Sequence, residues 1–150
     1  MQLNAYLLFN GNCREAFAFY ERTLGAKVES VLTAEGTPAA AHMPPEFHDK
    51  ILHGRIVVNG ATLMASDCPP QYYQTPQGFS LTLSYTEPAE AERIFGALAD
   101  SGQVKMPIQE TFWAKRYGQV VDRFGIPWMV NCEKARIELE KMPECEAAAR

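Results

Sequence analysis

The hydrophobic pattern of the first residues changes at an NGN sequence. Residues 3–9 (LNAYLLF) form an apolar run typical of a strand, and the NGN that follows predicts a turn. From Cys13 onward apolar residues recur at helical spacing, and Gly25 is a natural terminator. We expect the Asn12 side chain to cap this helix, with Glu15 as its capping-box partner. The apolar stripe contains Ala16, Phe17, Phe19, Tyr20 and Leu24.

A strand, a long loop and a hairpin are predicted next. The segment AKVESVLTA, residues 26–34, has the composition of a second strand. Residues 34–50 are rich in Pro, Ala and Gly without a clear period, which predicts a loop containing a helical turn. In ILHGRIVVNGATLMASD the pair Asn59-Gly60 separates two strands. Asn-Gly is a strong hairpin signal because both residues tolerate positive φ.

The second half of the chain repeats this order of elements. GFSLTLSY predicts a strand, and residues 87–102 predict a helix with Pro88 in its first turn and Gly102 past its end. QVKMPIQET, YGQVVD and IPWMV predict three further strands. Residues 133–150 are charged and predict a helical tail. The order is therefore one strand, one helix and about three strands, twice.

Residue matches between the halves support an internal duplication. The order of elements and the matches predict a single domain of two modules, about residues 1–68 and 77–132, followed by the tail. The matching residues are Glu15 and Ala16 with Glu90 and Ala91, Tyr20 with Phe95, Gly60 with Gly125, and Met64 with Met129.

Composition and charge exclude several classes of function. The 150 residues are 47% hydrophobic and 21% charged, which indicates a folded globular protein. The formal net charge is −4 and the basic residues are scattered, so we expect no nucleic-acid partner. No run approaches the roughly 18 apolar residues of a membrane span. The N-terminus lacks the basic region of a signal peptide, which predicts a cytoplasmic protein.

The four cysteines predict free thiols and no cysteine-based metal site. Cys13, Cys68, Cys132 and Cys145 include no CxxC pair. A cytosolic setting favours the reduced form. A reactive thiol at Cys13 or Cys68 and an inert buried thiol are both open from the sequence.

Three segments resemble the vicinal oxygen chelate superfamily, and its PhnB-like branch most of all. They are YLLFNGNCREAFAFYERTLGA, HGRIVVNGATLMASD and TFWAKRYGQVVDRFGIPWMVN, and the resemblance spans roughly residues 3–132. It implies an α+β fold in which two βαβββ modules form curled mixed sheets around a cavity, usually within a homodimer. Some members of this branch carry a 3-demethylubiquinone methyltransferase-like label, but the sequence contains no SAM-type motif.

The resemblance also bears on metal binding. In metal-dependent members four side chains, two from each module, hold one divalent ion. Alignment places these positions at Ala5, Met64, Ser80 and Met129. None is a histidine or a carboxylate, and thioether sulfur does not suit hard or borderline ions. We therefore expect no metal and no cofactor. A slip of one residue would bring in Tyr6, Leu81 or Val130, which would not restore a metal site.

Seven residues are candidates for a ligand-binding cavity. His53 and Arg55 lie two residues apart and face the same side of their strand, either toward a ligand or outward at the sheet edge. Trp113 and Tyr117 could stack on a ligand or fill a core. Asp67 could be a catalytic base or make a structural bond, and the Asp122 side chain is expected to build a turn. The full candidate set is His53, Arg55, Met64, Ser80, Trp113, Tyr117 and Met129.

Histidine spacing offers little for a second metal site. His42, His48 and His53 are the only histidines, and they have neither helical nor tight spacing.

Taken together, these features favour a metal-free protein that binds a small molecule. The alternatives are a glyoxalase- or dioxygenase-like lyase with a misplaced metal site, an enzyme with His53 or Asp67 as its base, and a structural dimer with a filled cavity.

Overall fold

The structure is a computed structural model, and it describes residues 1–135. Contacts between Cα atoms divide the chain into two compact units. Unit 1 comprises Met1–Gln77 together with Phe124–Ile126, and unit 2 comprises Gly78–Arg123 and the chain from Pro127 onward. Within residues 1–135 neither α-helix has the length and apolar character that a membrane crossing demands.

Each unit has one helix and one four-stranded sheet. Two short 3-10 helices, Pro38–His42 and Pro45–Phe47, lie in the loop before the third strand of unit 1. The elements of unit 1 are β1 (Ala5–Phe9), α1 (Cys13–Leu24), β2 (Lys27–Thr33), β3 (Ile51–Val58) and β4 (Ala61–Asp67). Those of unit 2 are β5 (Leu81–Ser84), α2 (Pro88–Ala99), β6 (Gln103–Gln109), β7 (Ala114–Val121) and β8 (Pro127–Glu133).

The two sheets have the same topology. Their strand orders are β1-β4-β3-β2 and β5-β8-β7-β6. The outer pairs β1–β4 and β5–β8 are parallel, and every other pair is antiparallel. The sheets are curled but not closed. The predicted α+β fold of two βαβββ modules is confirmed. The predicted limits of those modules, 1–68 and 77–132, stay predictions.

The predicted tail lies largely outside the described residues. β8 extends to Glu133, so the tail predicted from residue 133 begins one residue inside a strand. Residues 136–150 lie outside the part of the chain that the structure describes.

Two turn predictions are confirmed by backbone angles. Asn59 and Gly60 have φ of 46° and 85°, as the tight turn between β3 and β4 requires. Gly25 ends α1 in the left-handed region with φ of 66°, where a residue with a Cβ is strained.

The predicted cap of α1 is wrong. Asn12 stands at the N-cap position, but its side chain makes no capping hydrogen bond, and its Oδ1 is buried without a partner among the described residues. Asp67 takes that role from the end of β4, because its Oδ1 accepts a 2.9 Å hydrogen bond from the Cys13 N–H. A carboxylate suits this position, where backbone N–H groups are free and the helix dipole is positive. A residue distant in sequence thus replaced the local cap.

In each unit, a phenylalanine of the helix packs closely against a glycine of the sheet. A Cβ on Gly54 of β3 would lie 2.6 Å from Phe17 Cε2 of α1. A Cβ on Gly118 of β7 would lie 2.6 Å from Phe95 Cε2 of α2. Only glycine permits this close approach of ring to strand. The contact pairs Phe95 with Phe17, whereas the sequence alignment had matched Phe95 to Tyr20.

Aromatic packing completes the core of unit 1. The Phe124 ring lies 5.5 Å from Phe19, 6.3 Å from Tyr20 and 6.5 Å from Phe9, centroid to centroid. All three pairs are edge-to-face, the favoured geometry for aromatic rings. The half-buried Phe124 of the turn segment Phe124–Ile126 therefore packs against the aromatic rings of unit 1.

Replacing Gly118 by alanine should destabilise the protein. The new Cβ would also lie 3.0 Å from the backbone Cα of Ile108, which cannot move as easily as a side chain. We expect a loss of about 1–3 kcal/mol in the free energy of unfolding, measured by urea denaturation. Gly96 of α2 is the control, since a Cβ there meets open space, and Gly96→Ala should stabilise by about 0.5–1 kcal/mol. Equal effects of the two variants would contradict the close approach.

Candidate functional site

The register of unit 1 shows which residues lie opposite α1. Gly54 faces the helix through Phe17 and pairs with Ala65, which pairs with Leu7. Since side chains alternate along a strand, the next row of the sheet points to the other face. That row contains Tyr6, Met64 and Arg55. We call the side of each sheet that is opposite its own helix the helix-free face.

Ala5 does not lie beside Met64, so its predicted position is wrong by one residue. Ala5 pairs with Leu63, a buried residue in the row that faces α1. Tyr6 pairs with Met64 and is 44% exposed. Because the run LNAYLLF is mostly apolar, it shows no alternation of polar and apolar residues that would distinguish Ala5 from Tyr6.

Unit 2 has an equivalent row. Gly118 faces α2 through Phe95, so the neighbouring Gln119 points to the helix-free face. Gln119 pairs with Met129, which pairs with Thr82. Ser80 precedes β5, so Thr82 is the residue directly opposite Met129. Met64 and Met129 therefore hold equivalent positions in the two units.

A tyrosine–histidine contact spans the helix-free face of unit 1. The Tyr6 hydroxyl lies 3.2 Å from His53 Nδ1, and the two ring centroids are 5.7 Å apart. Tyr6 is in β1 and His53 is in β3, so the contact crosses over β4, the strand of Met64. This contact orients the imidazole and leaves its Nε2 as the second polar atom of the ring.

Arg55 is the cationic group in the same row. Its Nε lies 3.5 Å from Glu29 Oε2, and the two side chains are 37% and 49% exposed. The Nε atom is buried and makes no hydrogen bond within the described residues. An ion pair this exposed contributes little to stability. An anionic ligand could therefore displace the Glu29 carboxylate from Arg55 at a small cost in free energy.

Aromatic side chains lie together in unit 2. The ring centroids of Trp113 and Tyr117 are 5.3 Å apart, and those of Phe112 and Trp113 are 4.7 Å apart. Gln119 Nε2 donates a 3.0 Å hydrogen bond to the Tyr117 hydroxyl, which orients the phenol. Trp113 and Tyr117 are both half-buried, so each ring retains some accessible surface.

Both aspartates that the sequence singled out make structural bonds. Asp67 accepts from the Cys13 N–H at 2.9 Å through Oδ1 and from the Ile51 N–H at 2.8 Å through Oδ2. Asp122 is 3% exposed, and its Oδ2 accepts a 2.8 Å hydrogen bond from the Trp128 indole, across the turn between β7 and β8. Because both oxygens of Asp67 hold backbone groups, it is not available as a general base.

The cysteines that the structure describes are buried. Cys13, Cys68 and Cys132 are free thiols with at most 8% exposure. Burial raises the pKa of the Cys13 thiol far above its ordinary value, and the neighbouring Asp67 carboxylate raises it further. Because the thiolate is the reactive form, Cys13 is an inert core residue.

The donor set at the implied metal positions does not fit a divalent ion. The corresponding rows offer a phenol, a hydroxyl and two thioethers from Tyr6, Thr82, Met64 and Met129. Magnesium, manganese and zinc prefer carboxylates and imidazoles. His48 Nε2 lies 3.1 Å from the Met43 carbonyl oxygen, which accounts for one loop histidine. Residues 1–135 contain no group of three or more His, Cys, Asp or Glu side chains that could hold a metal.

Sequence reasoning missed three polar residues of the helix-free faces. Tyr6 contacts His53, and Gln119 orients Tyr117. Asn131 pairs in register with Tyr117 and is 8% exposed. Because side chains alternate along a strand, the position of Met129 could have indicated that Asn131 lies on the same face. Placing Tyr6 and Gln119 on the helix-free faces required the pairing of β1 with β4 and of β7 with β8.

Replacing Asp67 by alanine should cost stability. Two backbone N–H groups would lose a charged acceptor, which we expect to lower the free energy of unfolding by roughly 2–3 kcal/mol. Asp49→Ala is the matched control, because Asp49 is exposed and only its backbone oxygen accepts a bond, from Arg14. That change should stay within about 0.5 kcal/mol in a urea titration. An Asp67→Ala protein of unchanged stability would contradict the structural role.

Comparison with known proteins places the chain in a family. The family model described as 3-demethylubiquinone-9 3-methyltransferase matches residues 1–131. Protein YjdN of Escherichia coli (strain K12) is 39% identical over 142 residues, which cover 89% of this chain and 97% of YjdN. The crystal structure of protein PA1353 from Pseudomonas aeruginosa has 48% identity and a TM-score of 0.80, with 90% of this chain and 99% of that chain covered.

Two more distant structures have the same fold. A Bacillus cereus PhnB protein, described as a putative 3-demethylubiquinone-9 3-methyltransferase, has 22% identity and a TM-score of 0.74 and covers 88% of this chain and 99% of its own. The fosfomycin resistance protein FosX from Listeria monocytogenes has 10% identity and a TM-score of 0.63, with 93% and 97% covered. The chain belongs to the family described as 3-demethylubiquinone-9 3-methyltransferase.

Proposed function

We propose that this chain is a metal-free binding protein for a small molecule, with the ligand held against the helix-free faces. The observation that carries the proposal is the pair of methionines, Met64 and Met129, at equivalent positions in the two rows. Methionine is flexible and polarisable, so it suits an adaptable apolar contact surface. A homodimer, which the resemblance implies, belongs to the same proposal, as does a cytoplasmic location.

The charged groups of unit 1 favour a ligand with an anionic group and an apolar body. Arg55 offers a planar donor set that matches a carboxylate or a phosphorus oxyanion, and its present partner Glu29 is held weakly at 3.5 Å. His53 adds a polar atom on the same strand face. Leu8, which is 45% exposed and follows Tyr6 on the same face of β1, provides apolar surface.

The unit 2 candidates offer an apolar and aromatic surface on the helix-free face of their own sheet. Trp113 and Tyr117 offer aromatic edges and faces, and their mutual contact at 5.3 Å keeps the rings ordered before binding. Met129 and Ser80 complete the set. Because the rings are already ordered, they lose less conformational entropy when a ligand binds.

A metal-independent enzyme is the second candidate. The Tyr6–His53 contact favours it, since a hydroxyl against Nδ1 orients the imidazole and leaves Nε2 as the atom that could exchange a proton with a ligand. Turnover of a bound compound that is lost in His53→Asn but retained in Asp67→Asn would favour this reading over binding alone. Methyl transfer, which the family description names, has no supporting cofactor motif in the sequence.

Thermal shift with matched probes tests the proposal. Benzoate and hexanoate should raise the melting temperature with concentration, while benzyl alcohol and hexanol should raise it less, because they lack the anion for Arg55. Arg55→Gln should weaken the response to the anions by about tenfold or more in concentration. Arg22→Gln is the control, since Arg22 is an exposed arginine on α1.

Two outcomes would contradict the proposal. One is the absence of any shift with a wider panel of apolar anions. The other is an equal response of the Arg55→Gln and Arg22→Gln proteins, which would place the binding of anions elsewhere.

A further inference from the structure

A second concave site lies at one end of the unit 2 sheet. It is a cleft of about 400 Å³ lined by Ser84, Tyr85, Thr86, Lys115, Glu133 and Ala135. None of these residues is among those that the proposed function assigns to its ligand. Ligand sites commonly have volumes of about 300–1,000 Å³ and a few convergent polar groups.

The cleft contains one positive and one negative side chain that do not pair with each other. Within residues 1–135 the Lys115 ammonium makes no ion pair, and the Glu133 carboxylate makes none either. The adjacent Lys134 is already engaged, with its Nζ 2.8 Å from Glu110 Oε1. Two complementary charges are therefore available to a molecule in the cleft.

A buried amide holds this end of the sheet in place. Asn131 is 8% exposed, and its Nδ2 donates a 3.2 Å hydrogen bond to Glu133 Oε1. Its backbone oxygen accepts a 2.8 Å hydrogen bond from the Tyr85 N–H, and its register partner on β5 is Ser84. Asn131 thus connects three of the lining residues and fixes the direction of the Glu133 carboxylate.

The Asn131 side-chain amide also contains an acceptor that has no hydrogen-bond donor among the described residues. Asn131 Oδ1 is buried and has no hydrogen-bond partner within the described residues. Turning the amide over would place this oxygen against the Glu133 carboxylate, which repels it, so the orientation is fixed by the network.

We propose that this cleft binds an amino-acid zwitterion, with the ligand carboxylate at Lys115 and the ligand ammonium at Glu133. A molecule with only a negative charge would lie beside Glu133 without compensation, and one with only a positive charge would lie beside Lys115. A dipolar ion satisfies both side chains, and this complementarity rejects the singly charged analogues. The Ser84 and Thr86 hydroxyls belong to residues that line the same cleft, and they are donors of the kind that a carboxylate accepts.

Nuclear magnetic resonance on the ¹⁵N-labelled full chain tests this proposal. Glycine and the other common L-amino acids are titrated first. L-Leucine is then compared with isoamylamine, which lacks the carboxylate, and with 4-methylpentanoate, which lacks the ammonium. We expect at least one amino acid to bind, with shifts centred on residues 84–86, 115 and 133. Removal of either charge should weaken binding at least about tenfold.

Two conservative variants test the assigned charges. Lys115→Gln and Glu133→Gln should each weaken amino-acid binding by about tenfold or more, and the amide introduced by Glu133→Gln still offers an oxygen to Asn131. Lys105→Gln, an exposed change on β6 of the same unit, should leave the affinity unchanged. Unchanged melting temperatures confirm that the variants fold.

Three results would overturn the proposal. They are no binding by any amino acid at millimolar concentration, equal binding of leucine and its singly charged analogues, and unchanged affinity in both charge variants. Arg55→Gln should not affect this site. Failure here and failure of the proposed anion site are therefore separate observations.

Discussion

Each four-stranded sheet has a single helix to cover it, and that helix packs on one face only. The contact that fixes the covered face is a phenylalanine over a glycine, Phe17 over Gly54 and Phe95 over Gly118, where a methyl group would lie 2.6 Å from the ring. Once the glycine row faces the helix, strand alternation sends the next row to the other face. The positions of Met64, Met129, Arg55 and Gln119 follow from that constraint.

The element order could be read from the sequence because local chemistry determines it. Asn59-Gly60 and Gly25 require positive φ, and Pro88 fits the first turn of α2. Those signals act over a few residues. The resemblance implied a fold of two βαβββ modules, and the structure and its similarity to a solved relative confirmed that fold.

Features that depend on distant residues could not be read in the same way. Asp67 replaced Asn12 as the group that receives the first N–H of α1, although the two are far apart in sequence. The parallel register of β1 on β4 placed Tyr6, not Ala5, beside Met64. A uniformly apolar strand gives no sign of which residues face the core, so a slip of one residue was not detectable.

The side chains in the rows of the helix-free faces differ from the histidines and carboxylates that divalent metal ions prefer. Its rows carry thioethers, a phenol, a hydroxyl, an amide and one guanidinium, a set that suits apolar and anionic contact. Asp67, the carboxylate that the sequence offered as a base, holds two backbone N–H groups instead, and Asp122 accepts from the Trp128 indole N–H. The same fold in a fosfomycin resistance protein does not transfer an activity to these residues.

The most direct measurement is the metal content of the full chain purified without a histidine tag, followed by titration with Zn²⁺, Mn²⁺, Ni²⁺ and Fe²⁺ monitored by thermal shift. The account predicts no stoichiometric metal and no rise in melting temperature, because neither row carries a histidine or a carboxylate. One ion per subunit, with a melting temperature that rises with metal concentration, would contradict it and return lyase and dioxygenase chemistry to consideration.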